Sequence, residues 1–228
     1  MKASRALVAG IVLSLGLCTA AQAASDRWYV VGFGGQSKVQ NVADKDAIDQ
    51  ALLDAFGASG FEVLAADSSL DDSDTAWGLT LGYQVGDYFA TELSYVDLGE
   101  AGYQASGTID GGEGAVDIEV GAVSTSSGPV LSMLGIYPFN PSFSIYGRFG
   151  LALLETEGVL SAAASGESDS VSAKTQRSSL LYGVGGEYSF MQHFGVRLEW
   201  TRYTQVGSDD IMGEADIDLY TLGFRYSF

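Results

Sequence analysis

Six charged residues lie in segments whose other residues alternate between large apolar side chains and small or polar ones. In each segment the charge falls on the side of the chain opposite the large apolar residues. Because successive strand side chains point to opposite faces, these charges would share the interior of a closed sheet, where buried charges must pair. We call the set the lumen charge network; it has three residues of each sign and sums to zero: Glu92, Arg148, Glu187, Arg197, Glu199 and Arg225.

The elements that would position these charges are extended segments with a period of two. The clearest is 194–200, in which apolar residues alternate with Gly195, Arg197 and Glu199. The chain contains eight such segments, at about 28–39, 77–85, 89–95, 130–139, 143–153, 180–190, 194–200 and 218–228. Both faces are apolar in 28–39 and 130–139, so the sequence leaves the register of those two strands open.

The connections between the segments alternate in length. Short turns occur at 86–87, 140–142 and 191–193, whereas long polar connections occupy roughly 40–74, 99–115, 161–173 and 207–215. At the short-turn end the apolar face carries aromatic residues, and at the other end it reaches polar or charged ones. This pattern predicts an all-β, transmembrane antiparallel up-and-down β-barrel of eight strands, with short periplasmic turns and long extracellular loops.

The first 23 residues have the features of a secretory signal peptide. Lys2 and Arg5 precede an apolar run that is too short to span a bilayer, and a small-x-small cleavage pattern ends at Ala23. We therefore expect residues 1–23 to be removed and 24–228 to form a single barrel domain. Loss of the two basic residues lowers the net charge from −18 to −20, which argues against nucleic-acid binding. The only cysteine, Cys18, leaves with the signal, so disulfides are not expected.

The chain ends on an alternating aromatic strand. Its last residues resemble the C-terminal signature by which the barrel-assembly machinery recognises outer-membrane proteins, carried by Thr221, Gly223, Tyr226 and Phe228. Together with the signal peptide and the segments 28–32, 143–153 and 194–203, this run resembles the OmpA-like family of eight-stranded outer-membrane barrels. The resemblance implies an integral protein of the bacterial outer membrane. The chain departs from OmpA by ending at Phe228, so a peptidoglycan-binding domain is not expected.

Two functions remain open for the lumen charge network. It could gate a narrow channel for ions, protons or small solutes, or it could be a polar core that fills the barrel. The sequence favours filling, because an eight-stranded barrel is just wide enough for its own side chains. A lipid-modifying enzyme is a third possibility, because some eight-stranded barrels are enzymes. By family resemblance, those enzymes use a histidine near the outer leaflet. The one histidine, His193, lies in a predicted periplasmic turn, so no catalytic, cofactor or metal site is predicted.

The long connections are the predicted location of any specific interaction. Residues 44–56 predict an amphipathic helix resting across the barrel mouth, with Ile48, Leu52, Ala55 and Phe56 on one side. Acidic residues concentrate nearby, which predicts a solvated acidic surface; we hypothesise that divalent cations bridge it to lipopolysaccharide. Binding of a surface partner is an alternative role for these connections. The acidic residues are Asp67, Asp71, Asp72, Asp74, Glu100, Asp110, Glu113, Asp117 and Glu119.

Overall fold

The computed structural model describes residues 27–40, 45–110, 112, 114–164, 167–190, 192–208 and 213–228. The predicted signal peptide, Asp44 and Glu113 lie outside these residues. Within them the chain forms one helix and nine strands. Their bounds are β1 (Arg27–Gln40), α1 (Lys45–Ala58), β2 (Glu62–Asp71), β3 (Ser73–Val85), β4 (Phe89–Asp110), β5 (Ala115–Asn140), β6 (Phe143–Ala164), β7 (Glu167–Ser189), β8 (Phe194–Ser208) and β9 (Gly213–Ser227).

Eight of the strands close into an antiparallel ring. β1 pairs with β3, and each strand from β3 to β8 pairs with the strand that follows it in the chain. β9 pairs with β1 and closes the ring, with Phe224 opposite Gly32. Closure pairs the strands on both sides and leaves the ring without a free edge, as a bilayer requires. The predicted up-and-down barrel is confirmed, and its short turns join β3 to β4, β5 to β6 and β7 to β8.

The ninth strand, β2, lies inside the predicted connection 40–74. It pairs with the outer part of β4, with Asp71 opposite Gly102, and β3 continues the same line, with Trp77 opposite Asp97. β2 and β3 therefore form one strand of the wall that is interrupted at Asp72. The alternation of apolar residues did not reveal β2, because above the membrane neither face of a strand has to be apolar to hydrogen-bond with its neighbour.

The predicted connections 99–115 and 161–173 are also mostly strand rather than loop. β4 and β5 are 22 and 26 residues long and stay paired almost to their tips, where the hydroxyl of Thr108 donates to Asp117 across 2.8 Å. We call β2 together with the outer parts of β4, β5, β6 and β7 the extension. In the last long connection β8 reaches Ser208 and β9 begins at Gly213, and residues 209–212 lie outside the described chain.

A bulge separates the barrel part of β4 from the extension. The pairing with β5 shifts by one residue between Asp97 and Glu100, and Gly99 there has a φ of 79°, which glycine adopts without strain. The Glu100 amide donates to a carboxylate oxygen of Asp74 across 2.8 Å and fixes the bulge to β3. Before the bulge the even-numbered residues of β4 face inward. After the bulge the odd-numbered residues, such as Tyr103, face inward.

The predicted helix forms as α1 (Lys45–Ala58) and ends before Gly60, whose φ is 85°. It lies against the inner face of the extension, and a cavity of about 270 Å³ separates its apolar side chains from the strands. Leu52 and Phe56 of α1 line that cavity opposite Val63, Ile109 and Val120. Among the described helices, none is long and apolar enough to cross a membrane.

The outer surface of the ring is apolar, and the inner surface is not. Leu131 and Phe224 are 61% and 63% exposed, whereas the neighbouring Ser132 points inward and is buried. The structure also assigns the two open registers: odd residues of β1, such as Tyr29, and even residues of β5, such as Leu134, face inward. At the short-turn end the outward aromatic rings contact one another, with centroid distances of 5.2 Å for Phe194–Tyr226 and 5.7 Å for Phe139–Phe143.

Candidate functional site

The structure places all six residues of the lumen charge network on the inner face of the ring. Glu92 lies on β4, Arg148 on β6, Glu187 on β7, Arg197 and Glu199 on β8, and Arg225 on β9. Five of these side chains are less than a tenth exposed, and that of Arg225 is 11% exposed. Each strand contributes its charge because the residue falls on the inward parity of a strand whose other parity is apolar.

The six side chains form one chain of alternating sign. Arg148 bridges Glu199 and Glu92, with 2.5 Å between its Nη1 and Oε1 of Glu199. Arg197 bridges Glu92 and Glu187 at 2.6 and 3.0 Å. Arg225 completes the series through Nη1, which lies 2.6 Å from Oε1 of Glu187. Every internal member therefore contacts two groups of opposite charge, which offsets the desolvation that burial imposes on an ion.

Neutral polar side chains complete the hydrogen bonding of the lumen charge network. The hydroxyl of Tyr29 donates to Glu92 across 2.7 Å, and that of Tyr146 donates to Glu199 across 2.6 Å. Gln84 accepts a hydrogen bond of 2.8 Å from Nη2 of Arg225. These three residues were not part of the predicted set. The inward parity of Gln84 and Tyr146 was visible in the sequence, but parity alone does not show which polar residues reach a given carboxylate.

The two tyrosine rings also contact the guanidinium groups. The carbon at the centre of the Arg197 guanidinium lies 4.8 Å from the ring centroid of Tyr146, and that of Arg225 lies 3.9 Å from the ring of Tyr29. Such cation–π contacts stabilise a cation that has left water. Both rings lie against glycines: a Cβ at Gly82 would come within 2.1 Å of Tyr29, and one at Gly185 within 2.3 Å of Tyr146.

An apolar cluster lies in the lumen on the outer side of the lumen charge network. We call it the apolar plug. Its members are buried side chains that lie nearer the extension than the network residues do, and the sequence did not predict them as a group. They are Ala76, Val96, Leu98, Val130, Ala152, Leu154, Leu181, Tyr203, Val206, Ile217 and Leu219.

The opposite end of the lumen is open. A cavity of about 680 Å³ begins at the short turns and reaches Glu187, Arg197 and Arg225. His193 lies at its rim, where its Nδ1 is 2.9 Å from the carbonyl oxygen of Ser227. The histidine is thus far from the outer end, where a lipid-modifying centre would be expected. Among the described residues, no cluster of three histidine, cysteine, aspartate or glutamate side chains could hold a metal ion.

The C-terminal residues that resemble the assembly signature close the barrel against β1. Thr221 and Gly223 of β9 lie opposite Gly35 and Phe33. Tyr226 and Phe228 face outward, their rings 5.3 Å apart, in the aromatic girdle at the short-turn end.

A second polar cluster lies in the extension, outside the membrane-spanning part. We call it the Asp49 cluster, formed by Lys45, Asp49, Ser68 and Tyr103. The Asp49 carboxylate accepts hydrogen bonds from Lys45 and Ser68, each 2.8 Å long, and one of 2.5 Å from Tyr103. These donors lower the pKa of Asp49 from its ordinary 3.8 to about 2. The Asp49 cluster joins α1 to β2 and β4.

Comparison with known proteins places the chain among outer-membrane barrels. Residues 23–228 match the model of the OmpA-like transmembrane domain. Outer membrane protein P5 of Haemophilus influenzae is 32% identical over 136 residues, which cover 58% of this chain and 35% of P5. Outer membrane protein A of Yersinia pseudotuberculosis is 24% identical over 224 residues, or 97% of this chain and 54% of that protein. The chain thus spans about a third to a half of the length of these relatives.

The matching solved structures have lower sequence identity to this chain than those relatives do. Neisserial surface protein A is 14% identical with a TM-score of 0.42, and the match covers 88% of this chain and 97% of that one. Ail of Yersinia pestis, in complex with a heparin analogue, is 16% identical with a TM-score of 0.39, and the match covers 89% of this chain and 98% of that one.

Proposed function

The chain belongs to the family of OmpA-like transmembrane domains and is an integral protein of the outer membrane; from this premise we propose that it is a structural barrel whose lumen is closed by its own side chains. The apolar plug carries the proposal. It lies between the lumen charge network and the outer end of the barrel, so an ion that entered from the periplasm would have to lose its hydration among residues such as Leu98, Leu154 and Leu181.

The lumen charge network supports the same function. Its charges contact one another in series, so no member depends on a passing ion for compensation. Its arginines also join β6, β8 and β9 to carboxylates on β4 and β7 through the centre of the ring. We infer that the network acts as a polar core that fixes the strands relative to one another.

Conductance in planar bilayers tests this function. We expect the wild-type protein to give no reproducible current steps. The double variant Leu98→Gly with Leu154→Gly removes two side chains of the apolar plug and is expected to produce steps. The double variant Leu131→Gly with Leu153→Gly removes two outward leucines and is the matched control, which should stay silent. Reproducible steps from the wild-type protein would overturn the proposal.

A narrow channel is the second candidate, because the cavity of about 680 Å³ already brings periplasmic solvent to Arg197 and Arg225. In this function the apolar plug would be a gate that opens. Wild-type current steps that change size or ion preference in an Arg197→Gln variant would establish the channel and reject the closed barrel.

We propose that the extension contacts lipopolysaccharide through divalent cations, or binds a surface partner. Support comes from carboxylates on the exposed strands of the extension, including Glu62 and Asp67 on β2 and Asp117 and Glu119 on β5. Divalent cations prefer carboxylate oxygens and would bridge them to phosphate groups. NMR relaxation of the extension should change on addition of millimolar Mg²⁺ in bilayers that contain lipopolysaccharide, and unchanged relaxation would reject the bridge.

We also propose that the last strand is read by the barrel-assembly machinery. Tyr226 on the outward face of β9 and Phe228 directly after the strand are exposed, where a recognition surface could reach them before the barrel closes. Folding into vesicles that contain the purified machinery should slow when Phe228 is changed to Ala. The same change should leave unassisted folding in detergent at its wild-type rate, which separates recognition from stability.

A further inference from the structure

The cavity of about 270 Å³ between α1 and the inner face of the extension has a mainly apolar wall. We call it the α1 cavity. Leu52 and Phe56 of α1 line it on one side, and Val63, Ile109 and Val120 line it on the other. An apolar cavity of about 150 Å³ is large enough to bind benzene. The α1 cavity therefore has room for an aromatic ring or a short alkyl chain together with a small polar group.

The Asp49 cluster forms the polar end of the α1 cavity, which Lys45, Asp49, Ser68 and Tyr103 all line. The charges of Lys45 and Asp49 compensate each other across 2.8 Å, so the cluster has no net charge. A carboxylate has about four acceptor positions. Three described donors bond to the carboxylate of Asp49, two at Oδ2 and one, Tyr103, at Oδ1. Oδ1 therefore has room for one further donor.

The charges around the α1 cavity favour an uncharged ligand. The strands that form its wall also carry exposed carboxylates, including Glu62 on β2 and Asp117 on β5, which would repel an anion such as a fatty acid. A cation would lose its hydration among apolar side chains and would find Asp49 already paired with Lys45. An alcohol or a phenol avoids both costs and supplies a donor for Oδ1.

We propose that the α1 cavity binds a small uncharged molecule with an apolar body and one hydroxyl group. The apolar body packs between Phe56 and Ile109, and the hydroxyl donates to Oδ1 of Asp49. The ligand enters beside Leu53, which lines the cavity and is 40% exposed. Because the ligand contacts the helix and the strands together, its binding also holds α1 on the extension. The site lies outside the lumen, so its occupancy is independent of conductance.

Three probes with the same aromatic ring test the polar end of the site. 2-Phenylethanol has the hydroxyl, its methyl ether has lost the donor, and phenylacetate is an anion. Methyl NMR of the protein in lipid nanodiscs follows binding at Ile109 and Val120, while the methyl groups of the lipid-facing Leu131 report partition into the bilayer. 2-Phenylethanol should shift the cavity methyl groups saturably and bind at least roughly fivefold more tightly than the ether, because only the alcohol donates to the carboxylate. Phenylacetate should bind more weakly than both.

A pair of variants tests the location of the site. Ala105 of β4 lines the α1 cavity, and Ala105→Phe fills part of it with a ring, so the saturable shift should be lost. Ala173→Phe is the matched control, because Ala173 is exposed on β7 and does not line the cavity. This variant should bind 2-phenylethanol like the wild type. The probe series uses the wild-type protein and stays decisive even if Ala105→Phe disturbs the docking of α1.

Hydrogen exchange of α1 gives a second measurement of the same binding. With 2-phenylethanol at about ten times its dissociation constant, exchange of the α1 amides should slow roughly tenfold, because the ligand binds only while α1 is docked. Exchange of the barrel amides should not change.

Four results would each reject the proposal. Two concern the probes: cavity methyl groups that shift no more than those of Leu131, and an ether or phenylacetate that binds as tightly as the alcohol. The third is saturable binding that persists in Ala105→Phe, which would place the probe elsewhere. The fourth is α1 exchange that does not respond to a saturating probe.

Discussion

The barrel and the extension share β4, β5, β6 and β7, yet they organise polar groups in opposite ways. In the barrel, charges are enclosed, and each internal member of the lumen charge network is held by two groups of opposite charge, as Arg197 is by Glu92 and Glu187. In the extension, the Asp49 cluster is partly exposed to water and joins one helix to two strands. Burial makes the loss of a partner costly, whereas water compensates for much of the loss at an exposed site.

The largest effect is expected at the centre of the lumen charge network. Glu92→Gln removes the charge that Arg148 and Arg197 share, and should lower the free energy of unfolding by about 3–5 kcal/mol. Glu119→Gln removes an exposed carboxylate of the extension and is expected to change it by less than about 0.5 kcal/mol. Urea-induced unfolding in lipid vesicles, followed by tryptophan fluorescence, would compare the two. Equal midpoints would contradict the distinction between enclosed and exposed charge.

Substitutions on the outward faces of the barrel and of the extension should differ almost as much in their effect on the free energy of unfolding. Leu131 and Val123 lie on the same strand and the same face of β5, one in the barrel and one in the extension. Leu131→Arg places a cation in lipid and should cost about 2–4 kcal/mol of unfolding free energy, whereas Val123→Arg should cost little. The same urea titration measures both. A large loss for Val123→Arg would place the membrane boundary further out along β5.

A smaller effect should follow from crowding the tyrosine rings of the lumen. Gly185→Ala brings a methyl group against Tyr146 and should destabilise the barrel by about 1–3 kcal/mol. Gly147→Ala is the matched control, because a Cβ there has no neighbouring atom within 4 Å. If both variants unfold at the same urea concentration, Tyr146 does not need the space that Gly185 leaves.

The smallest effect is expected at Asp49, and it should depend on pH. Because its pKa is lowered to about 2 with α1 in place, the carboxylate stabilises docking of α1 above pH 4, and this contribution is lost as the pH falls toward 2. Hydrogen exchange of the α1 amides should therefore accelerate between pH 4 and pH 2 relative to that of the barrel strands. In Asp49→Asn the acceleration should already be present at pH 6, with barrel exchange unchanged. Protection of α1 that is equal at pH 2 and pH 6 would contradict the role of Asp49.

The sequence predicted the ring more completely than the extension. Lipid on one side requires apolar residues at every second position, so strands such as 194–200 and the C-terminal run could be recognised directly. Above the membrane this requirement ends. β2 and the outer parts of β4 to β7 have polar residues on both faces, and only hydrogen bonding with neighbouring strands shows that they are extended. The helix of the extension was predictable because its apolar residues follow the helical period.

The sequence by itself determined the closed antiparallel ring and, in six of its eight strands, which residues face its interior, because strand parity and the apolar outer face constrain each other. The registers of β1 and β5 came only from the structure. Only the tertiary structure decided how those interior residues combine. The order of the ion pairs from Glu199 to Arg225, the contacts of Tyr29 and Tyr146, and the packing of the apolar plug depend on the heights at which strands distant in sequence meet. Those heights follow from strand tilt and register around the whole ring, which no single segment specifies.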